Sequence, residues 1–188
     1  TFTGSFETGK KLKSLPQIIE NSVSFNMEAD SLNCAVLGED AVLGTPEFDL
    51  FIKEVRKEIT VKCGQKCTAV RRIIVPEKLV EDVQIELGKA LAQTTIGDPS
   101  VEGVRMGALA GKEQLEEVTK RVAQLAKTSE MVYGSLDKGN AVGADWDKGA
   151  FISPILFLNQ RPLQTADVHS IEAFGPISTI LPYKNIEE

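Results

Sequence analysis

At 188 residues, with 42% apolar and 26% charged side chains, the chain has the length and balance of one substantial globular domain or of part of a larger protein. A formal net charge of −6 argues against nucleic acid or an anionic membrane surface as the main partner. No apolar run is long enough to span a bilayer, and the N-terminus lacks the basic-then-apolar pattern of a signal peptide. Three cysteines without paired zinc-ligand spacing suit a reducing cytosol, and a single histidine leaves almost nothing for a metal cluster or a histidine-based triad.

In chain order, Phe2-Thr3-Gly4-Ser5 reads as a strand passing into a loop, followed by a helical stretch over Lys10–Leu15 that Pro16 ends or bends. Ser22–Ala29 reads as a strand with Val23, Phe25 and Met27 on one face, delivering Glu28 near its end. Asn33–Leu37 is a short apolar run, which predicts that Cys34 is buried. Thr45 and Pro46 have the character of an N-cap and a first helical residue. Behind them Phe48, Phe51, Ile52, Val55 and Ile59 make one apolar stripe, so this helix is expected to pack on a core and run to Lys62, where Gly64 breaks it.

A strand is predicted over Arg71–Val75, then a helix on Val80, Val83, Leu87, Ala90 and Leu91, closed at Gly97-Asp98-Pro99. A further helix over Lys112–Lys127 buries Leu115, Val118, Val122 and Leu125. Met131–Tyr133, Phe151–Leu158 and Ile177–Tyr183 read as strands, with a turn-rich polar excursion over Gly134–Gly149. Helices alternating with strands imply an α/β fold with a largely parallel, helix-covered sheet.

Chemistry concentrates in Lys62-Cys63-Gly64-Gln65-Lys66-Cys67-Thr68-Ala69-Val70-Arg71-Arg72. A reactive cysteine has to present a thiolate in the open, beside positive charge or backbone N–H dipoles. Cys67 falls in a turn between helix and strand, with Lys66, Arg71 and Arg72 close in sequence. The bland alternative is a half-buried packing thiol, which is the reading adopted for Cys63. His169 reads as a loop residue with a satisfied hydrogen bond.

Four separated segments, Phe2-Thr3-Gly4-Ser5 with Gly9, the strand-end Glu28, Gly64-Gln65-Lys66-Cys67, and Glu172-Ala173-Phe174-Gly175-Pro176, resemble in order and rough spacing the NAD(P)-dependent aldehyde dehydrogenase superfamily, over the whole chain. Asn26-Met27-Glu28-Ala29-Asp30-Ser31-Leu32-Asn33, in place of the usual Glu-Leu-Gly-Gly-Lys after the glutamate, is similar to one branch. That branch holds the dehydrogenase half of the bifunctional ring-opening enzyme of bacterial phenylacetyl-CoA degradation and the semialdehyde dehydrogenase of benzoyl-CoA degradation.

The resemblance implies Cys67 as nucleophile, its backbone N–H as an oxyanion donor, and Glu28 as the general base that hydrolyses the thioester. It also implies that Gly4 and Ser5 lie against the cofactor's pyrophosphate or nicotinamide side, that Glu172 holds ribose hydroxyls with Phe174 beside them, and that Gln114 touches the ribose. NADP, or NAD, is the expected acceptor, a CoA-linked semialdehyde the expected substrate, and a homo-oligomer the expected full-length state. Residues 1–30 would then be the edge of the dinucleotide-binding domain and 31–188 an incomplete catalytic domain. Thr1 at the start and Ile186-Glu187-Glu188 at the end lead us to expect a piece of a longer chain, inactive alone. Two alternatives stand beside this reading: a CoA-acylating relative, against which Glu28 speaks, and a non-catalytic module using the same fold for assembly.

Overall fold

A computed structural model describes residues 1–188, which form two compact units, Thr1–Ser31 and Leu32–Glu188. In the first, strand β1 (Phe2–Gly4) pairs in parallel with β2 (Met27–Ala29), Thr3 opposite Glu28. Between them run α1 (Phe6–Lys13) and the short α2 (Pro16–Glu20). The first helix starts four residues earlier than the sequence pattern predicts because Ser5 caps it, its hydroxyl accepting from the Thr8 amide. Pro16 opens α2 as its first residue, where its missing N–H is harmless. The strand expected over Ser22–Ala29 shrinks to three residues with Glu28 in its middle. Ser22 sits at a left-handed φ of 50° and the Val23 amide closes a turn onto the Ile18 carbonyl, so neither joins a ladder.

The second unit is a five-stranded sheet in the order β3 (Asn33–Val36), β4 (Val70–Pro76), β7 (Ile177–Tyr183), β6 (Ile155–Leu158), β5 (Glu130–Tyr133). Neighbours from β3 to β6 are parallel, and β5 is antiparallel to β6. Helices α3 (Pro46–Thr60), α4 (Val80–Ala92) and α5 (Lys112–Leu125) supply the cover. The mixed α/β class with a mostly parallel sheet is thus as the sequence implies. Strand β6 shows how both faces are covered: Leu156 and Leu158 join the core built from Phe48, Ile52, Val55 and Ile59 of α3 and Val83, Leu87 and Leu91 of α4. Ile155 and Phe157 join the second core, with Val118, Val122 and Leu125 of α5. All four β6 side chains are buried, as expected for a central strand of a parallel sheet.

Three further expectations need correction. Cys34 is exposed, not buried, because β3 is the edge strand of the sheet and only Ala35 of its four residues is even partly covered by the core. Helix α3 ends at Thr60, two residues early, since Val61 turns extended and Lys62 and Cys63 adopt left-handed dihedrals. Strand β6 begins only at Ile155, after Pro154, whose ring nitrogen has no hydrogen to give to a ladder. No helix is long and apolar enough to cross a membrane.

Candidate active site

Strands β3, β4 and β7 are adjacent and parallel, so the residues preceding each strand come to the same end of the sheet. Asn33 opens β3, Gly64–Ala69 leads into β4, and Glu172–Pro176 leads into β7. Topology alone therefore gathers three segments spread over more than a hundred residues of chain. The hydrogen bonds then fix them against one another.

The loop that carries Cys67 starts from a strained turn. Lys62, Cys63 and Gly64 follow one another at φ of 53°, 54° and 67°. Two non-glycine residues in this region cost roughly 1–2 kcal/mol each. Burial of Cys63, 1% exposed in the second core, offsets part of that cost. That same burial pushes the Cys63 thiol up to about 12, leaving it protonated and inert at neutral pH. Gly64 has no freedom to be anything else: a Cβ there would stand 2.2 Å from the Gly175 carbonyl oxygen and 2.9 Å from that of Ile59.

Cys67 is exposed at the tip of the loop. Its main-chain carbonyl accepts the Asn33 side-chain amide at 2.5 Å, and the same amide lies 3.3 Å from the Ala69 carbonyl. Gln65 faces the other way: its Oε1 accepts from the Ala110 amide at 2.8 Å, and its Nε2 reaches Oε1 of Gln114, in the first turn of α5, at 3.5 Å.

The three cations that the sequence places beside Cys67 have other partners. Lys66 is ion-paired with Glu58 of α3 at 2.7 Å. Arg72 donates to the Leu32 carbonyl and lies 3.4 Å from Nδ1 of His169. Nε2 of that histidine is 3.0 Å from the Pro162 carbonyl, which makes it the satisfied loop residue expected. Arg71, only 4% exposed, donates to the carbonyls of Gly64 and Gly175 and lies over the Phe174 ring, 5.6 Å from its centroid. Burial pushes its guanidinium down to about 10 while Glu172 holds it up, so it stays charged throughout the neutral range.

The predicted residues thus fall into two groups. Cys67, Gln114, Glu172 and Phe174 belong to Leu32–Glu188, where the contacts of Gln65 and Arg71 link their segments. Gly4, Ser5 and Glu28 belong to Thr1–Ser31, all three exposed. There the Asp30 carboxylate accepts from the Phe6 amide at 3.1 Å, so a negative charge already sits at the start of α1.

Sequence reasoning did not single out Asn33, Gln65 or the buried role of Arg71. A signal for Arg71 existed. Alternation along β4 puts it in phase with Ile73 and Val75, both wholly buried, so an arginine on the core face had to have a structural duty. No group of histidine, cysteine or acidic side chains is placed to hold a metal ion.

These features define an α/β unit that presents an exposed cysteine at the leading end of a parallel sheet. The aldehyde dehydrogenase family pattern matches residues 1–188, and the chain belongs to that family. It is 40% identical over 188 residues to a 3,4-dehydroadipyl-CoA semialdehyde dehydrogenase of Aromatoleum evansii, covering all of this chain and 36% of that one. A putative aldehyde dehydrogenase of Staphylococcus haemolyticus is 30% identical over 193 residues, with 37% of its length covered. In fold, the chain resembles betaine aldehyde dehydrogenase from Staphylococcus aureus solved with NAD+, at a TM-score of 0.85 and 21% identity over 100% of this chain and 35% of that one. The chain therefore spans little more than a third of the relatives it matches.

Proposed function

We propose that this chain carries the nucleophile and the general base of an NAD(P)-dependent dehydrogenase that oxidises a CoA-linked semialdehyde to the acid. The observation that carries the reading is the exposed Cys67 on a loop tied to Asn33, in a chain 40% identical to a semialdehyde dehydrogenase with a CoA-linked substrate. Membership of the family supports the reaction class.

An aldehyde gives up hydride only after its carbon becomes tetrahedral, and a thiolate is an effective nucleophile for that step at neutral pH. Cys67 attacks the carbonyl carbon, and the oxyanion of the thiohemiacetal accepts a hydrogen bond from the Cys67 backbone N–H. The nicotinamide, when bound, supplies the hydride acceptor. Cys67 then holds the acyl group as a thioester until Glu28 takes a proton from water, which attacks the acyl carbon and releases the acid and the thiol.

The residues present suit the ribose side of such a cofactor. Glu172 offers carboxylate acceptors to sugar hydroxyls, Phe174 offers an apolar ring, and Gln114 an amide. Gly4 and Ser5 are assigned to the diphosphate or nicotinamide side, where the Asp30 charge weakens the attraction of the helix start for phosphate. NADP is the acceptor proposed ahead of NAD. Residues 1–30 are assigned to the edge of the dinucleotide-binding domain and 31–188 to the catalytic domain of a cytosolic homo-oligomer in aromatic-acid catabolism, of the phenylacetate type.

The test is reduction of NADP, with NAD in parallel, by a CoA-linked semialdehyde, using the complete polypeptide that carries these residues and its Cys67→Ala form. Activity lost in the variant is the expected result. A folded, dinucleotide-binding protein that is inactive in both forms would remove the dehydrogenase reading.

A further inference from the structure

Arg71 is one of the few charged or polar side chains buried in this protein, and the only buried one that carries a full charge. A guanidinium taken out of water needs its donors matched; both terminal nitrogens of Arg71 have acceptors while its buried Nε has none, so its retention has to be explained by what the terminal nitrogens hold. It holds main chain. One terminal nitrogen donates to the carbonyl of Gly64, seven residues earlier, at 2.6 Å, and the other donates to the carbonyl of Gly175, 104 residues later. The planar fork suits two separate acceptors at once, which an ammonium group cannot match.

Both acceptors are at constrained points. Gly64 is the third residue of the left-handed turn that launches the Cys67 loop. Gly175 packs so tightly on α5 that a Cβ would meet Val118 at 3.1 Å, and its carbonyl also accepts the Ile177 amide as β7 begins. The Phe174 ring covers the guanidinium, and the Glu172 charge acts on it. Beside it Ser178 of β7 donates to the Val70 carbonyl of β4 at 2.7 Å, fixing the two strands from which these loops depart.

We propose that Arg71 is a positioning residue that sets the Cys67 loop and the Glu172–Phe174 segment in one register, so that occupancy at the second segment is felt by the thiol of the first. The proposal rests on the assignment of Cys67 as nucleophile and of Glu172 and Phe174 to the cofactor, and adds to it a means of communication between them. Arg71 touches neither reacting atom. It acts through the two carbonyls.

The experiment compares the complete polypeptide with Arg71→Met and Arg71→Lys, measuring the rate of Cys67 alkylation by iodoacetamide with and without saturating NADP, together with steady-state constants and thermal unfolding. In the unaltered protein, NADP changes the alkylation rate severalfold. In Arg71→Met that ratio collapses to within twofold of one, the KM for NADP rises about tenfold or more, kcat falls, and the KM for aldehyde holds. Arg71→Lys, whose single nitrogen cannot stand where both terminal nitrogens of Arg71 stand, falls between. If Arg71→Met does not fold, Arg71→Lys decides alone. Folded variants that keep the NADP-dependent alkylation ratio and the KM for NADP overturn the proposal, whatever happens to their melting temperature. Failure of the dehydrogenase reading looks different: the unaltered protein then binds no dinucleotide and oxidises no aldehyde. The alkylation rate without NADP still reports whether Arg71 positions the loop, and an unchanged rate in both variants would end the idea.

Discussion

The side-chain amide of Asn33 donates to the main-chain carbonyl of Cys67 at 2.5 Å, across 34 residues of sequence and from the first residue of a neighbouring strand. This bond ties the exposed tip of the loop to the sheet. Asn33 is itself exposed, so its truncation leaves the core packing intact. Asn33→Ala is expected to lower kcat with aldehyde about tenfold, equivalent to roughly 1.4 kcal/mol, while the urea midpoint of unfolding moves little. Steady-state kinetics beside a denaturation curve check it. A variant with full activity would mean the loop is fixed without this bond.

Gly64 is a second fixed point. Any side chain there meets main chain on two sides, at Gly175 and Ile59, in a conformation that L-residues resist. Gly64→Ala should destabilise the fold by about 2 kcal/mol or more, and displace the Gly64 carbonyl from Arg71. Activity should fall beyond what the lost stability explains. Chemical denaturation with activity measured well below the transition separates the two effects.

Much of this fold was open to a reading of residues alone, for reasons that can be named. Helix α3 announces itself by Thr45-Pro46 and by an apolar stripe of which Phe48, Ile52, Val55 and Ile59 are buried and Phe51 is partly so. Its end was less legible, because Lys62 and Cys63 carry no local signal for the left-handed turn they adopt. That turn is imposed by tertiary contacts, the burial of Cys63 and the grip of Arg71 on Gly64. Cys34 was misplaced because a short apolar run cannot reveal whether its strand lies at the centre or the edge of a sheet. The residues proposed for catalysis are legible as a pattern, whereas Asn33, Gln65 and Arg71, which bond the loops that carry Cys67 and Glu172, act on distant backbone groups and leave little trace in local sequence.

The role proposed for Glu28 is what distinguishes hydrolysis from acyl transfer to CoA. If it is the base that activates water, Glu28→Gln should still form the thioester on Cys67 but release it slowly. A burst of NADPH equal to the enzyme concentration, followed by turnover slowed about a hundredfold, is the expected record, with the acyl adduct visible by mass spectrometry. Undiminished steady-state hydrolysis would take the role away from this residue.

Asp30 gives a test of the cofactor assignment from the opposite direction. Its carboxylate accepts from the Phe6 amide at the start of α1, next to Gly4 and Ser5. Asp30→Asn keeps an oxygen that can accept this bond and removes the charge that would repel a diphosphate. Affinity for NADP should tighten about two- to fivefold at low salt, with the gain shrinking as salt screens the interaction. Calorimetric titration at two ionic strengths is sufficient. An affinity that is unchanged or weakened at both would place the diphosphate away from this helix start.

Cys63 predicts a specific alkaline weakness. Its thiol is raised from about 9.0 to about 12 by burial, so between those values the unfolded chain loses a proton that the folded one keeps. The unfolded state then binds fewer protons, and stability falls as pH rises through this window; below pH 9 the contribution is fully present. At pH 10.5 the deficit from this one group is about 2 kcal/mol. Tyr133 and Tyr183, also raised by desolvation, push in the same direction, so the comparison must be between proteins rather than between pH values alone. Cys63→Ala should begin less stable at pH 8, from the lost packing of a residue in the second core, yet lose less stability than the unaltered chain on passing to pH 10.5. The same protonated thiol should resist iodoacetamide at neutral pH while the exposed Cys34 and Cys67 react, and peptide mapping will rank all three. Equal labelling of Cys63 in the folded protein would mean that the left-handed turn opens readily, and with it the anchor on which the Cys67 loop depends.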